Sequence, residues 1–368
     1  MRLALVHEWI SERAGAEKTF EALAAIFPTA DLYAVSKAPG VHLDTGGREI
    51  RTTLLDRPVI RNMRAATLPS MPIAWQMLED LGYDAVITSH HAFAHANNLA
   101  KDGPRLSYVH SPARYVWSPE LDARGSSRWL FPVRKILQRA DYRFAQRVDS
   151  FAANSSAVAA RIERYWGREA SVIHPPVRAD YFSGASEVGL NDAGYILGVG
   201  RWVPYKNLHL IAAVAEALGI PAKVAGSGPE RRRIMASAEA ASVPVEVIES
   251  PSDERLRALY QGACALVFPT VEDFGIVPVE AQAAGTPVVA PRAGGVLDSV
   301  IDGSTGILVD SPIVSELAAG VRRAEGLSSG ACRENAARFG YDTFAARIRT
   351  WTAEWGIETL DAASTPNA

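Results

Sequence analysis

Short apolar runs alternate with longer stretches of helical periodicity along this chain, and the alternation occurs in two successive sets. Strands are expected near Leu3–His7, Asp31–Val35, Asp84–Thr88, Leu106–His110 and Ser150–Ala153, then near Tyr195–Val199, Ala222–Ala225, Val245–Ile248, Ala265–Phe268 and Pro287–Ala290. Helices between strands provide the long crossovers that parallel pairing requires, so each set reads as a doubly wound α/β domain. A length of 368 residues leaves room for two separate cores.

The seam falls in Ser171-Val-Ile-His-Pro-Pro-Val177, because paired prolines cannot continue a helix and hold their neighbours extended. The expected organisation is an N-terminal domain over 1–176 and a C-terminal domain over 177–340, with a loop from Asp180 to Gly194. A helix over 341–360 would pack back on the first domain, and 361–368 is small, polar and frayed.

Composition removes several classes. Apolar residues at 48% and charged residues at 21% are ordinary for a folded soluble chain. A net charge of −3 argues against general nucleic-acid binding. Two cysteines, Cys264 and Cys332, are too few for a disulfide framework and fit a reducing cytoplasm, with Cys264 expected in the core. The opening Met1-Arg-Leu-Ala-Leu-Val6 is strand-like, and His7-Glu8 interrupts it before a leader's apolar segment can form. No window approaches the roughly 20 apolar residues of a membrane span. Membrane contact is therefore expected to be peripheral at most, on the inner face of the cytoplasmic membrane.

Open parallel sheets bind ligands beyond the carboxyl ends of their strands, so two such domains facing one another would make a cleft lined by post-strand loops. Glu272-Asp-Phe-Gly-Ile-Val-Pro-Val-Glu280 follows an apolar run and leads into the Ala-rich stretch Ala281-Gln-Ala-Ala284, which reads as strand, tight loop and helix start. A helix N-terminus there suits an anion, whereas two carboxylates beside it suit sugar hydroxyls. Together they point to a nucleotide-sugar. Arg201 and Lys206 in the loop after the Tyr195–Val199 strand offer a forked and a point cation for a diphosphate. Gly15 opens a helix after the first strand and permits close backbone approach. After the Leu106–His110 strand, His110 and Arg114 are joined by Tyr115 and Trp117, aromatic planes suited to a sugar ring.

Other features read as structural. Ala225-Gly-Ser-Gly-Pro229 follows a strand with small residues, while Gly285-Thr-Pro287 and Ala293-Gly-Gly295 are turns. His91 and His95 stand one helical turn apart beside His90, but no neighbouring carboxylate or cysteine completes a metal set, so none is expected. One basic run, Arg57, Arg61 and Arg64, precedes the apolar stretch Leu68–Leu78, and a second, from Arg124 and Arg128 through Arg134, Lys135, Arg139, Arg143 and Arg147, is interleaved with Trp129, Leu130, Phe131 and Leu137. They suit either a solvated face or an anionic membrane surface.

In order along the chain, Gly200-Arg201, Tyr205-Lys206-Asn207, Gly226-Ser-Gly-Pro229, Phe268-Pro269, Glu272 to Glu280 and Gly285-Thr-Pro-Val-Val289 resemble the retaining glycosyltransferases of family 4, which have the two-domain GT-B fold. The resemblance implies that Arg201 and Lys206 hold the donor diphosphate and that Glu272 contacts the donor sugar. It further implies that Phe274, Gly275 and Ile276 lend backbone N–H groups and that Glu280 binds the nucleotide ribose. The family's Gly-Gly-Ala-Glu-Lys loop appears as Ala14-Gly15-Ala-Glu-Lys, which keeps donor contact at Gly15 and weakens it at Ala14. His110-Ser-Pro-Ala-Arg114-Tyr115 with Trp117 resembles bacterial mannosyltransferases of surface polysaccharide synthesis, several of which use GDP-mannose and lipid-carried acceptors.

The expected activity is metal-independent, retaining transfer of a sugar, mannose first, from a nucleotide-sugar to a glycan or lipid-linked acceptor. His110, Arg201, Lys206 and Glu272 are its catalytic candidates, and no cofactor or nucleic acid is implied. A non-hydrolysing sugar-nucleotide epimerase and a non-catalytic nucleotide-sugar-binding subunit share the same architecture and remain the alternatives.

Overall fold

The computed structural model describes residues 1–58, 68–78, 81–118, 131–185 and 194–358. It divides into two compact units, Met1–Pro176 with the chain from Asp342 onward, and Val177–Tyr341.

In the first unit the strands are β1 (Leu3–Ile10), β2 (Asp31–Lys37), β3 (Ile50–Thr52), β4 (Ala85–His90), β5 (Arg105–Val109), β6 (Ser150–Ala153) and β7 (Ser171–Val172). Among the described residues they form one parallel sheet in the order β3-β2-β1-β4-β5-β6-β7. Strand order reverses between β1 and β4, the topological switch point at which such sheets open a crevice. Successive side chains feed opposite faces: Leu3 and Leu5 join a core with Phe20, Leu23 and Ile87, whereas Ala4 and Val6 pack with Tyr33, Trp75 and Val86. The helix Tyr341–Ala353 adds Phe344, Ile348 and Trp351, spaced along one face, to the Leu3 and Leu5 layer. The Trp351 indole N–H donates to Ser150 Oγ at 2.8 Å.

In the second unit β8 (Tyr195–Arg201), β9 (Ala222–Ser227), β10 (Val245–Glu249), β11 (Ala263–Val267), β12 (Val288–Pro291) and β13 (Gly306–Val309) form a parallel sheet in the order β10-β9-β8-β11-β12-β13. Its switch point lies between β8 and β11. Here too adjacent residues part company, with Leu197 and Leu266 in one apolar layer and Ile196 and Val267 in the other.

Several expectations are corrected. β1 does not stop at His7-Glu8 but continues to Ile10, with both side chains fully buried. Each has polar partners inside, which is the condition for burying such groups. Ser171–Val172, read as linker, is an edge strand too short to show a period, and β3 and β13 were likewise not anticipated. Cys264 is exposed rather than in the core: the β11–β8 register shifts between Ala263 and Ala265, and Cys264 falls outside the alternation. Among the described residues no helix is long and apolar enough to cross a membrane. The expected frayed tail at 361–368 lies outside the described residues.

Candidate active site

In the second unit the candidate residues sit on the two loops that leave the switch point. β8 ends at Gly200 and Arg201 beside the end of β9, where a Cβ on Gly226 would stand 1.9 Å from the Gly200 carbonyl oxygen. Only glycine lets these strand ends approach so closely. Arg201 is exposed at this edge. The next residue, Trp202, is buried, and its N–H donates to the Ser227 carbonyl at 2.6 Å. A short 3-10 turn, Pro204–Lys206, then ends in Asn207 at a left-handed φ of 52°.

This loop is stitched to the one that follows β11. Asn207 Nδ2 donates to the Pro269 carbonyl at 3.1 Å, and Thr270 Oγ1 donates to the Tyr205 carbonyl at 3.0 Å. Lys206 is only 7% exposed, ion-paired with Glu272, with its Nζ 5.6 Å from the centre of the Phe268 ring. The ammonium is thus held at a fixed place by its partner and its stem rather than by solvent. Two residues expected to serve different parts of a substrate are direct partners in this structure.

Gly275, at φ 85°, turns the chain into the helix Ile276–Ala283. The helix start is supported from below by the Gly294-Gly295 turn, whose Gly295 N–H donates to the Glu272 carbonyl at 2.9 Å. A Cβ on Gly295 would lie 2.2 Å from Phe274 Cα. The turn is structural, as expected, but what it positions is the candidate loop itself. Phe274 is buried, with its ring 5.5 Å from that of Phe339. Glu280 follows Ile276 by one helical turn and lies on the same face. It is buried and accepts the Tyr260 hydroxyl at 3.0 Å, and burial together with this carboxylate raises the Tyr260 phenol well above its usual range.

In the first unit Gly15 opens the helix Gly15–Ile26, and Glu17 returns to accept the Ala14 N–H at 3.2 Å. Ala14 has extended backbone, φ −101° and ψ −165°, so alanine is accommodated without strain. His110 follows β5, and its N–H donates to the His90 carbonyl at 2.8 Å. Its ring is buried and bonded through Nε2 to Ser89 Oγ at 2.8 Å, and the same oxygen lies 3.0 Å from His7 Nδ1.

The expected aromatic platform does not form. Tyr115 is only 7% exposed and packs beside Phe93 in the core. Trp117 has one face stacked on Tyr165, with centroids 4.8 Å apart, and its N–H donates to Asp141 Oδ2 at 2.6 Å. Arg114 begins the short helix Arg114–Trp117 and is half-buried.

The histidine reading is also corrected. His95 pairs with His90, Nδ1 to Nδ1 at 3.1 Å, and its Nε2 lies 3.4 Å from Asp141 Oδ1. Glu8 Oε1 lies 3.4 Å from His90 Nδ1 and accepts the Ala92 and Ala94 N–H groups at 2.9 and 2.7 Å. Both carboxylates come from elements remote in sequence, so spacing could not reveal them. Burial pushes Glu8 up to about 7 against the pull of those N–H groups, and Asp141 up to about 7 against two indole N–H groups. Burial likewise pushes His90 down to about 3. Among the described residues His90, His95 and Asp141 are the set whose ligand atoms lie within 4.8 Å of one another. His95 Nδ1 is bonded to His90, and its Nε2 to the Asp141 backbone carbonyl at 3.3 Å.

Of the basic runs, Arg61, Arg64, Arg124, Arg128, Trp129 and Leu130 lie outside the described residues, as does the side chain of Phe131. On the helix Phe131–Ala145, Lys135, Arg139 and Arg143 are exposed beside Ile136 (63% exposed) and Tyr142 (46%), while Leu137 is buried.

Comparison with known proteins adds relatives for both halves. The family described as Glycosyltransferase Family 4 matches residues 28–181, and that described as Glycosyl transferases group 1 matches 186–343. A D-inositol 3-phosphate glycosyltransferase of Streptomyces bingchenggensis is 29% identical over 358 residues, covering 87% of this chain and 77% of that protein. Among solved structures, Anabaena HepE in complex with UDP superposes with a TM-score of 0.69 at 18% identity, over 96% of this chain and 100% of the other. Sucrose-phosphate synthase from Thermosynechococcus elongatus gives 0.73 at 19% identity, over 95% and 98% of the two chains.

Proposed function

We propose a reaction for this chain, a glycosyltransferase of the GT-B type whose halves match Glycosyltransferase Family 4 and Glycosyl transferases group 1. It takes a sugar from a nucleotide-diphosphate sugar and passes it, with retention at the anomeric carbon, to a hydroxyl of a glycan or lipid-linked acceptor. The observation that carries this reading is the buried Lys206 ammonium, fixed against Glu272 at the carboxyl edge of the second sheet. A preorganised cation stabilises charge that develops on a departing diphosphate, and it does so without reorganising at the moment of reaction. Arg201 at the same strand end adds a second cation, and the helix beginning at Ile276 contributes the positive end of its dipole.

On this reading Glu272 contacts the donor sugar and Glu280 the ribose, with backbone N–H groups of Phe274, Gly275 and Ile276 turned to the donor. From the first unit it takes Gly15 as a donor contact and His110 as a catalytic contact. The acceptor attacks on the face that the leaving group vacates, and a donor phosphate oxygen takes its proton. The fixed cations supply the charge, so the reading calls on no metal or cofactor.

For the donor the first choice is GDP-mannose, on the His110-Ser-Pro-Ala-Arg114-Tyr115 motif. A UDP-sugar is the second, favoured by HepE, which has been solved with UDP-glucose and with UDP and glucose. The exposed basic and apolar residues of the helix Phe131–Ala145 support peripheral contact with an anionic membrane. Thermal shift with GDP and UDP separates the donors, because a ligand that binds the native state raises Tm. Transfer from the matching sugar nucleotide, with the anomer of the product read by NMR, then tests the reaction. An inverted product, or epimerised donor without transfer, rejects it.

A further inference from the structure

Three buried polar side chains in the first unit form one line. His7 comes from β1, Ser89 from β4, and His110 follows β5, so all three stand near the carboxyl edge of adjacent strands at the switch point. Ser89 Oγ lies 3.0 Å from His7 Nδ1 and 2.8 Å from His110 Nε2, with His7 and Ser89 fully buried. A hydroxyl has one proton, so it donates to one imidazole and accepts an N–H from the other. The direction of the line is therefore a binary choice.

His7 makes that choice. Its ring is stacked on Phe20 with centroids 4.9 Å apart, and among the described residues its Nε2 finds no hydrogen-bond partner. A buried N–H without an acceptor is rarer and more costly than a buried lone pair without a donor. His7 accordingly keeps its proton on Nδ1 and leaves Nε2 bare. Burial also drives its pKa down to about 3, so it remains neutral. His7 Nδ1–H then donates to Ser89 Oγ, and the Ser89 hydroxyl donates to His110 Nε2. With Nε2 accepting, neutral His110 carries its proton on Nδ1.

We infer that Ser89 and His7 are positioning residues that hold the His110 imidazole as its Nδ1–H tautomer and fix its ring plane. His110 in that state works as a hydrogen-bond donor toward substrate oxygen rather than as a base. Successive hydrogen bonds running one way reinforce one another, so the effect of His7 reaches His110 through the serine. The functional half of this inference rests on the role proposed for His110, whereas the tautomer does not.

The test begins with the ligand-free wild-type protein labelled with ¹⁵N-histidine. Long-range ¹H–¹⁵N correlation, assigned through the His110 Cβ, is expected to show Nδ1 protonated and Nε2 bare. The reverse pattern overturns the inference, and this reading needs no variant to fold. Ser89→Ala is then expected to release the tautomer into a mixture and to lower kcat/KM roughly ten- to hundred-fold, the scale of a lost buried hydrogen bond. Ser89→Thr, which keeps the hydroxyl, should restore both. A Ser89→Ala enzyme with an altered tautomer and unchanged kcat/KM removes the positioning role. Absence of sugar transfer by the wild type would sink the proposed reaction while leaving the spectrum to decide the tautomer.

Discussion

Lys206 is almost wholly withdrawn from water, and its burial is tolerable only because Glu272 stands against it. Lys206→Ala should therefore act twice. Turnover falls by roughly two to three orders of magnitude through loss of a preorganised charge, and the Glu272 carboxylate is left without its partner. Kinetics with the matching donor and a thermal melt read the two effects, and near-normal kcat would remove Lys206 from the mechanism. Glu280 allows a complementary experiment, since the proposed reading assigns it to the nucleotide ribose rather than to the diphosphate. Glu280→Ala should weaken GDP or UDP binding measured by calorimetry and cost about 1–3 kcal/mol of stability as the buried Tyr260 hydroxyl loses its acceptor; an unchanged Kd rejects the ribose role. Both residues were legible in the sequence because they follow strands in a distinctive order. Their partners were not, since nothing in local spacing brings Lys206 to Glu272 or Tyr260 to Glu280. Tyr115 and Trp117 failed for the converse reason: an aromatic beside a motif looks like a platform until Phe93 and Tyr165 are seen packed against it.

At the level of elements, the long buried strands declared themselves because an apolar run covered on both faces has few other readings. Three strands escaped notice: β3 and β7 are the shortest, with edge positions that leave residues part-exposed and no periodicity to accumulate, and β13 is buried but only four residues long. The loops that build the site depend on glycines whose purpose only the fold reveals. Gly295 packs so tightly under Phe274 that a methyl group there must displace the loop carrying Glu272, Phe274 and Gly275. Gly295→Ala is expected to cost about 1–3 kcal/mol, the usual range for overpacking, and to weaken nucleotide binding along with stability. Gly303→Ala is the comparison for backbone strain alone, since its φ of 76° is left-handed but nothing lies within 4 Å of its Cβ position. A Gly295→Ala protein that binds GDP and UDP no more weakly than the Gly303→Ala protein would show that this turn does not position the loop.

For the whole molecule the consequence of so many buried titratable groups is a particular dependence of stability on pH. Glu8 rises from an ordinary 4.5 to about 7 and Asp141 from 3.8 to about 7, so between those values the folded state holds protons that the unfolded chain has released. Each carboxylate therefore makes the fold less stable as pH rises through that window, by about 1.4 kcal/mol per proton per pH unit. His7 and His90, lowered from 6.5 to about 3, and His95, lowered well below 6.5, behave oppositely: the unfolded chain binds the extra protons, and stability increases with pH up to about 6.5. From about pH 4.5 to 6.5 three histidines outweigh two carboxylates, so stability still rises with pH by the contribution of one proton, about 1.4 kcal/mol per pH unit. Below about pH 4 the carboxylates are protonated in both states, the histidines act alone, and stability falls steeply. Glu8→Gln isolates one member, because Gln keeps an oxygen for the Ala92 and Ala94 N–H groups while removing the charge. At pH 8 the wild type must hold an ionised Glu8 in an apolar interior and the variant need not, so Glu8→Gln should melt several degrees higher than wild type there. That advantage should disappear at pH 4, where Glu8 is protonated in both states. Taking the difference in Tm between variant and wild type at each pH cancels every other carboxylate, apart from Asp141. The Glu8 charge raises Asp141, so its removal lowers the Asp141 pKa and adds to the effect in the same direction. A difference in Tm that stays constant from pH 4 to 8 would mean that Glu8 is not held protonated by burial, and the balance between carboxylates and histidines described for the first unit would fail with it.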